Sequence, residues 1–172
     1  TPRDALEQRL GADYVHYAQG CAVGKDDRSG FDAAVAAAAN SSATILVMGL
    51  SPAIEYEMRD RSSLLLPEPQ NALVAAACAA AAPTPCHVVL MSGGVLDVSA
   101  MMLNANVSSV SWVGYPGQSG GDAIADVLLG AVAPSGRTPL TWYREAYLYN
   151  GHDPSSPDRD EYALSMYDMG LR

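Results

Sequence analysis

Apolar positions along this chain fall into two kinds of block, and their alternation predicts the fold. Ala43–Met48 is a short apolar run rich in β-branched residues, as expected of a strand buried on both faces of a sheet, and His87–Met91 and Val107–Gly114 read as further strands. Between them lie stretches of strong helix formers: Asp4–Leu10, Phe31–Asn40, Asn71–Ala82, Asp97–Leu103 and Asp122–Leu129. Punctuation supports these boundaries. Gly11 and Gly130 are placed to close helices, Pro83 and Pro85 to end the Asn71–Ala82 helix, and Asp97 to favour the start of its own. Ser92-Gly-Gly94 and Pro134-Ser-Gly136 read as turns. Asp13–Tyr17 and Thr138–Tyr143 predict a first and a last strand. Strands and helices alternating at this spacing predict an α/β fold, a three-layer sandwich whose mostly parallel sheet is covered by helices on both faces, over residues 1–143. From 144 to 172, Tyr147, Tyr149, Tyr162 and Tyr167 are interleaved with Asp, Pro and Ser without period. That segment is expected to be an irregular tail draped over another surface.

Composition narrows the function classes. A net charge of −9 argues against nucleic acid, because neutralising phosphates requires an excess of Lys and Arg. The longest apolar run, Ala72–Ala82, is too short to span a bilayer. Cys21, Cys78 and Cys86 match no zinc spacing, and His16, His87 and His152 lie far apart, so no metal is called for. No cofactor is expected either. Cys78, near a helix end, and Cys86, at the next strand, could bridge or remain two buried thiols, with at most one disulfide expected and Cys21 outside any internal bridge. The chain opens Thr1-Pro2-Arg3 without an initiator Met and stops directly after a Tyr-rich segment, which reads as a piece of something larger. Asn40-Ser-Ser42 and Asn106-Val-Ser108 are glycosylation sequons that matter if the protein is secreted.

The candidate chemistry is concentrated in the connection after the Ala43–Met48 run. Glu55, Glu57, Arg59, Asp60 and Arg61 crowd into one short stretch beyond the carboxyl end of a strand, where open α/β sheets bind ligands. Glu55 and Glu57 are of the type needed for general acid work, since an apolar or anionic setting keeps a carboxylic acid protonated near neutral pH. Arg59 and Arg61 would push the other way. By spacing alone the simpler reading is a solvent-exposed loop held by Glu–Arg pairs. A second pattern, Gly117-Gln-Ser119-Gly-Gly121, satisfies G-x-S-x-G between a strand and a helix, with Asp126 and His152 following in triad order. Pro116 inside the segment and His152 in the irregular tail favour a glycine turn that starts the next helix.

Four stretches carry a family resemblance. Glu55-Tyr-Glu-Met-Arg-Asp-Arg-Ser-Ser-Leu-Leu-Leu-Pro67 resembles the E-x-E-x-x-D-R-x-x-L-x-L-P loop of family 3 glycoside hydrolases. Met91-Ser-Gly-Gly-Val-Leu-Asp97 is similar to the family's S-G-x-P-x-D turn. The block from Gly114 to Gly130, continued by Pro134-Ser-Gly-Arg-Thr-Pro-Leu-Thr-Trp-Tyr143, resembles G-x-x-G-x-x-x-A-I-A-D-V-L-x-G…P-x-G-R-x-P-x-T-W-Y. Ser165–Arg172 resembles the M-x-D-M-x-x-R segment of the β-xylosidase branch. Glu68-Pro69, Val95 and Arg144 depart from the family pattern and suggest a diverged member.

The resemblance implies a second domain that packs against a (β/α)8 barrel carrying an Asp nucleophile. It implies Glu55 as the acid/base, with Glu57, Asp60 and Arg61 shaping the loop or the sugar subsite. The implied activity is retaining, exo-acting hydrolysis of β-glycosides, most specifically of xylan-derived oligosaccharides by a β-xylosidase, in an extracellular or cell-wall setting. Residues 1–172 alone are then expected to be inactive, because the nucleophile lies elsewhere. The alternative is a non-catalytic scaffold or interaction module of an extracellular glycoprotein assembly that kept the fold. A serine esterase built on Ser119 is the third reading.

Overall fold

The structure is a computed structural model that describes residues 1–58 and 61–149. Three strands, β1 (Thr44–Gly49), β2 (Cys86–Met91) and β3 (Ser109–Trp112), form a parallel sheet in the order β1-β2-β3. The register pairs Thr44 with Cys86 and His87 with Ser109. Among the described residues five α-helices accompany the strands: α1 (Pro2–Leu10), α2 (Phe31–Ala39), α3 (Glu68–Ala81), α4 (Ser99–Met102) and α5 (Gly120–Leu128). The crossover from β1 to β2 is made by α3, and the shorter one from β2 to β3 by α4.

The alternation of side chains along each strand sorts the helices into two layers. Leu46 and Met48 of β1, Cys86, Val88 and Leu90 of β2, and Val110 and Trp112 of β3 share one face. They pack with Ala38 of α2 and Leu73, Val74, Ala77, Cys78 and Ala81 of α3 in the main core. On the opposite face Ile45 meets Ala5 and Leu6 of α1 and Ala125 of α5. The expected α/β sandwich is therefore present. Ala-rich helices suit it, because small side chains let α2 and α3 lie close together over the sheet.

The helix ends follow local chemistry. In α1, Thr1 Oγ1 accepts the Asp4 amide at 3.2 Å while the Asp4 carboxylate accepts the terminal amine at 3.0 Å, a reciprocal capping pair. Gly11 then closes the helix at φ 94°, a conformation open to a residue without Cβ. The bridge Cys78–Cys86 ties α3 to the start of β2, with Cα atoms 5.4 Å apart, and Cys21 is free. One disulfide is thus formed, and it excludes Cys21 as expected.

Two expected strands are absent among the described residues. Ala12–Tyr14 is a single 3-10 turn, and Val15 packs its side chain on Ala5, Leu6 and Ala125 while Tyr14 and Tyr17 stay exposed. The apolar alternation there reports one anchored residue and not a ladder. The Thr138–Tyr143 segment is likewise irregular. Leu140, Trp142 and Tyr143 lie over Leu64, Val95 and Leu148 as a cover, and Trp142 meets Trp112 edge to face at 5.7 Å. Pro139 also removes a ladder donor. At the start of the 144–172 segment Glu145–Tyr149 forms a 3-10 turn, and its Leu148 is buried against Leu64 and Val95. Tyr162, Tyr167 and His152 lie outside the described residues.

Candidate functional site

The site begins where β1 ends. Gly49 has no room for a side chain, since a Cβ there would sit 2.0 Å from the Met91 carbonyl oxygen. The buried side chain of Gln70, 2% exposed, donates Nε2 to the Gly49 carbonyl and accepts the Gly49 amide, each at 2.7 Å. Its amide replaces the sheet partner that an edge strand lacks, so the exit of β1 is clamped to α3. From that point Ser51 starts a tight turn, with its carbonyl accepting the amides of Ile54 at 2.8 Å and Glu55 at 3.1 Å. Ile54 packs against the main core. The next residue, Glu55, is thereby turned across the carboxyl ends of the strands.

Three loops converge on its carboxylate. Oε1 accepts the Gly93 amide from the turn after β2 and the Tyr115 hydroxyl from the turn after β3, each at 2.6 Å. Oε2 accepts Arg61 Nε at 3.0 Å. The Glu55 side chain is 13% exposed and that of Arg61 6%. Arg61 is held in turn, its two terminal nitrogens donating to the carbonyls of Ser63 at 2.9 Å and Val95 at 2.8 Å. A guanidinium with all its nitrogens engaged fixes a carboxylate by geometry as well as by charge.

The Gly93 amide is presented by its own neighbours. Ser92 is fully buried, its hydroxyl donating to the Gly94 carbonyl at 2.7 Å. Trp112, the last residue of β3, donates its indole N–H to the Ser92 carbonyl and hydroxyl oxygens at 3.0 Å. A side chain at position 93 would crowd the site, with a Cβ 3.1 Å from the Tyr115 ring and 3.4 Å from Glu55 Oε1.

Electrostatics follow from this cradle. Burial pushes the Glu55 carboxyl up. The Tyr115 hydroxyl, the Gly93 amide and the Arg61 guanidinium together outweigh it and hold the carboxyl below the usual Glu range. Tyr115 responds in the opposite sense, its phenol pushed up to about 12 by burial and by the Glu55 carboxylate. As held here, Glu55 is an ionised, oriented acceptor.

A second clasp secures the loop. The Leu64 amide donates to Glu145 Oε2 at 2.6 Å, and the Leu64 carbonyl accepts the Asp97 amide at 2.7 Å. Asp97 accepts the amides of Ser99 at 2.8 Å and Glu145 at 2.7 Å. Burial raises its pKa, but these amides and nearby Arg144 win, and the carboxyl is held below the usual Asp range. Asp97 thus sits at the start of α4, as the sequence suggests, and also binds the 145–149 turn to the Glu55 loop.

Of the residues singled out from sequence, Glu55 and Arg61 are brought together and Glu57 lies exposed on the same loop. Asp60 and Arg59 lie outside the described residues. The Glu–Arg pairing expected of a bland loop is real, but it is sunk into a three-loop junction. Among the described residues no triad forms around Ser119, which is exposed at the start of α5, while Asp126 is paired to Arg9 at 2.8 Å and His152 lies outside the described residues. Pro116 packs where a side chain at Gly120 would stand, as a glycine turn requires. Gln70, Gly93, Tyr115 and Glu145 were not identified from sequence as contributors to the site. The available signal was positional: Gly93 and Tyr115 both stand just past the carboxyl end of a strand.

Residues 1–172 match the glycosyl hydrolase family 3 C-terminal domain. The chain belongs to that family. It is 48% identical over 130 residues to β-D-xylosidase 1 of Arabidopsis thaliana, covering 75% of this chain and 17% of that protein. With β-xylosidase/α-L-arabinofuranosidase 1 of Medicago sativa subsp. varia it shares 46% identity over 132 residues, 77% of this chain and 17% of the relative. The domain therefore spans under a fifth of these relatives. Among solved structures it superposes on a family 3 exo-β-xylosidase, XlnD, in complex with a xylobiose aziridine probe, at a TM-score of 0.79 and 37% identity, covering 86% of this chain and 19% of that one. A β-glucosidase from Kluyveromyces marxianus in complex with glucose aligns at 0.63 and 29% identity, covering 78% and 15%. This family 3 domain has glycoside hydrolases as its relatives, and no described helix is long and apolar enough to cross a membrane.

Proposed function

We propose that this domain supplies the acid/base of a retaining, exo-acting β-glycosidase, with xylan-derived β-linked oligosaccharides as its substrate class. The observation that carries the reading is the Glu55 carboxyl, held by donors from three loops beyond the carboxyl ends of the strands. Proton transfer to a leaving oxygen requires that degree of orientation. In the first half of the reaction a carboxylate attacks the anomeric carbon while Glu55 protonates the leaving oxygen. In the second half Glu55 takes a proton from water, which attacks the sugar.

The ionised Glu55 of this domain is the form used in the second half. Its acid form calls for added negative charge, and a nucleophile carboxylate about 5–5.5 Å away is of the right sign. That nucleophile is proposed to be an Asp on a neighbouring (β/α)8 barrel, so the chain by itself should turn over nothing. Arg61 serves as the clamp on Glu55, while Glu57 and Asp60 are proposed to face the sugar. The names of the relatives support xylose over glucose as the preferred sugar. An extracellular or cell-wall location is proposed as well. The Cys78–Cys86 bridge supports it, because disulfides persist in oxidising compartments, as do the exposed sequons at Asn40 and Asn106.

The test is Glu55→Gln in the two-domain enzyme. Activity should fall far more on xylobiose than on an aryl xyloside whose leaving group departs unaided, and azide should restore turnover of the aryl substrate. Equal losses on both substrates would remove Glu55 from the acid role. The closed Glu55–Arg61 pair favours the second reading, a scaffold that has lost catalysis. An intact barrel nucleophile in the same polypeptide would exclude it.

A further inference from the structure

The groups that face the Glu55 carboxyl among the described residues are the Arg61 guanidinium from its own loop, the Gly93 amide from the turn after β2 and the Tyr115 phenol from the turn after β3. They are not equivalent. Arg61 is nearly fully buried and bonded to two carbonyls, and Gly93 donates from the backbone, so neither can withdraw without disturbing the fold. Tyr115 is 50% exposed. It stands in a turn flanked by Gly114 at φ 62° and Gly117 at φ 69°, both in open space. It is the solvent-side member of the cradle.

A carboxylate offers two acceptor positions on each oxygen. On Oε1 both are taken, one by Gly93 and one by Tyr115, whereas among the described residues Oε2 accepts one bond, from Arg61. The remaining position, on Oε2, is therefore where a transferable proton belongs. We infer that Tyr115 is a positioning residue: its hydroxyl closes Oε1, confines the acidic proton to Oε2 and so sets both the direction and the pH range of proton delivery by Glu55. This rests on the acid/base reading above. In the step itself the Oε2–H bond breaks and an O–H bond forms on the leaving oxygen. The glycosidic C–O pair goes to that oxygen as the nucleophile carboxylate bonds the anomeric carbon.

The physical consequence has a definite sign. The Tyr115 hydrogen bond favours the carboxylate and lowers the affinity of Glu55 for a proton. Tyr115→Phe keeps the ring and removes the bond. Glu55 then stays protonated to higher pH, but its proton is divided between two oxygens, one of them facing the wrong way. The falling limb of kcat/KM on xylobiose in the two-domain enzyme should move up by roughly one pH unit, the scale of one lost charge-assisted bond. Below that limb kcat should drop by about tenfold with KM little changed, and an aryl xyloside with a good leaving group should be spared. A purely structural role for Tyr115 would lower activity without moving the limb.

A second readout needs only the 172-residue chain. The Glu55 side-chain carboxyl carbon, followed by NMR as pH is varied, should titrate at higher pH in Tyr115→Phe than in the parent. A limb or a titration midpoint left unmoved by Tyr115→Phe would overturn the inference. The two levels fail separately. A moved midpoint with no leaving-group dependence in Glu55→Gln sinks the acid role and leaves Tyr115 as the tether of Glu55. An unmoved midpoint with that dependence intact keeps Glu55 as the acid and sinks Tyr115.

Discussion

Replacing Arg61 by Ala tests whether the Glu55 junction is a buried structural pair or a surface one. The change removes the Nε bond to Glu55 and leaves the carbonyls of Ser63 and Val95 without their donors. Both partners of the pair are mostly out of solvent, at 6% and 13% side-chain exposure, so the low cost of an exposed pair does not apply. Breaking a buried pair by deleting one member costs about 3–5 kcal/mol, because the other charge stays buried and unmatched. Here the Tyr115 and Gly93 bonds continue to hold the carboxylate, which places the expected loss near the lower end, about 3 kcal/mol at neutral pH.

Urea unfolding of the chain, extrapolated linearly, measures this directly. The pH dependence follows from the sign of the shift. Glu55 is held below its ordinary value in the folded chain, so its contribution is present above the unfolded-state pKa. It is lost as pH falls through the folded one. The gap between parent and Arg61→Ala should therefore narrow in acid. It should also narrow in a Glu55→Gln background, where no buried charge is left unmatched. A loss under about 1 kcal/mol at neutral pH, of the size typical of exposed pairs, would refute the reasoning. So would a loss unaffected by Glu55→Gln.

Gln70→Leu, close in volume, leaves the buried Gly49 amide and carbonyl without partners and should cost about 2–4 kcal/mol by the same urea measurement; a neutral result would deny the clamp on β1. Reducing Cys78–Cys86 releases a short loop of sequence separation 8 and should lower stability by about 2–3 kcal/mol, checked by urea midpoints with and without reductant. The purified 172-residue chain should not hydrolyse an aryl β-xyloside. Turnover abolished by Glu55→Gln in that chain would mean that both carboxyl groups of the mechanism lie within it.

Much of this architecture is legible in local pattern. The Phe31–Ala39 and Glu68–Ala81 helices are runs of strong helix formers bounded by Gly, Asn and Pro, and Thr44–Gly49 and Cys86–Met91 are the two most continuous apolar runs between helices. Period and punctuation depend on neighbours a few residues away, so they can be read without knowing the fold. Asp13–Tyr17 and Thr138–Tyr143 have comparable local patterns and are not strands, since a strand is completed by a partner in space. The site divides in the same way. The loop that carries Glu55 and Arg61 stands out by charge and position, and one of its Glu–Arg pairings is local, six residues apart. Whether that pair lies in water or in a cradle depends on Gly93 and Tyr115, which are 38 and 60 residues from Glu55 along the chain. Packing of β2 and β3 beside β1 brings their trailing turns to the same place, and the charge state of Glu55 follows from that meeting and not from its sequence neighbours.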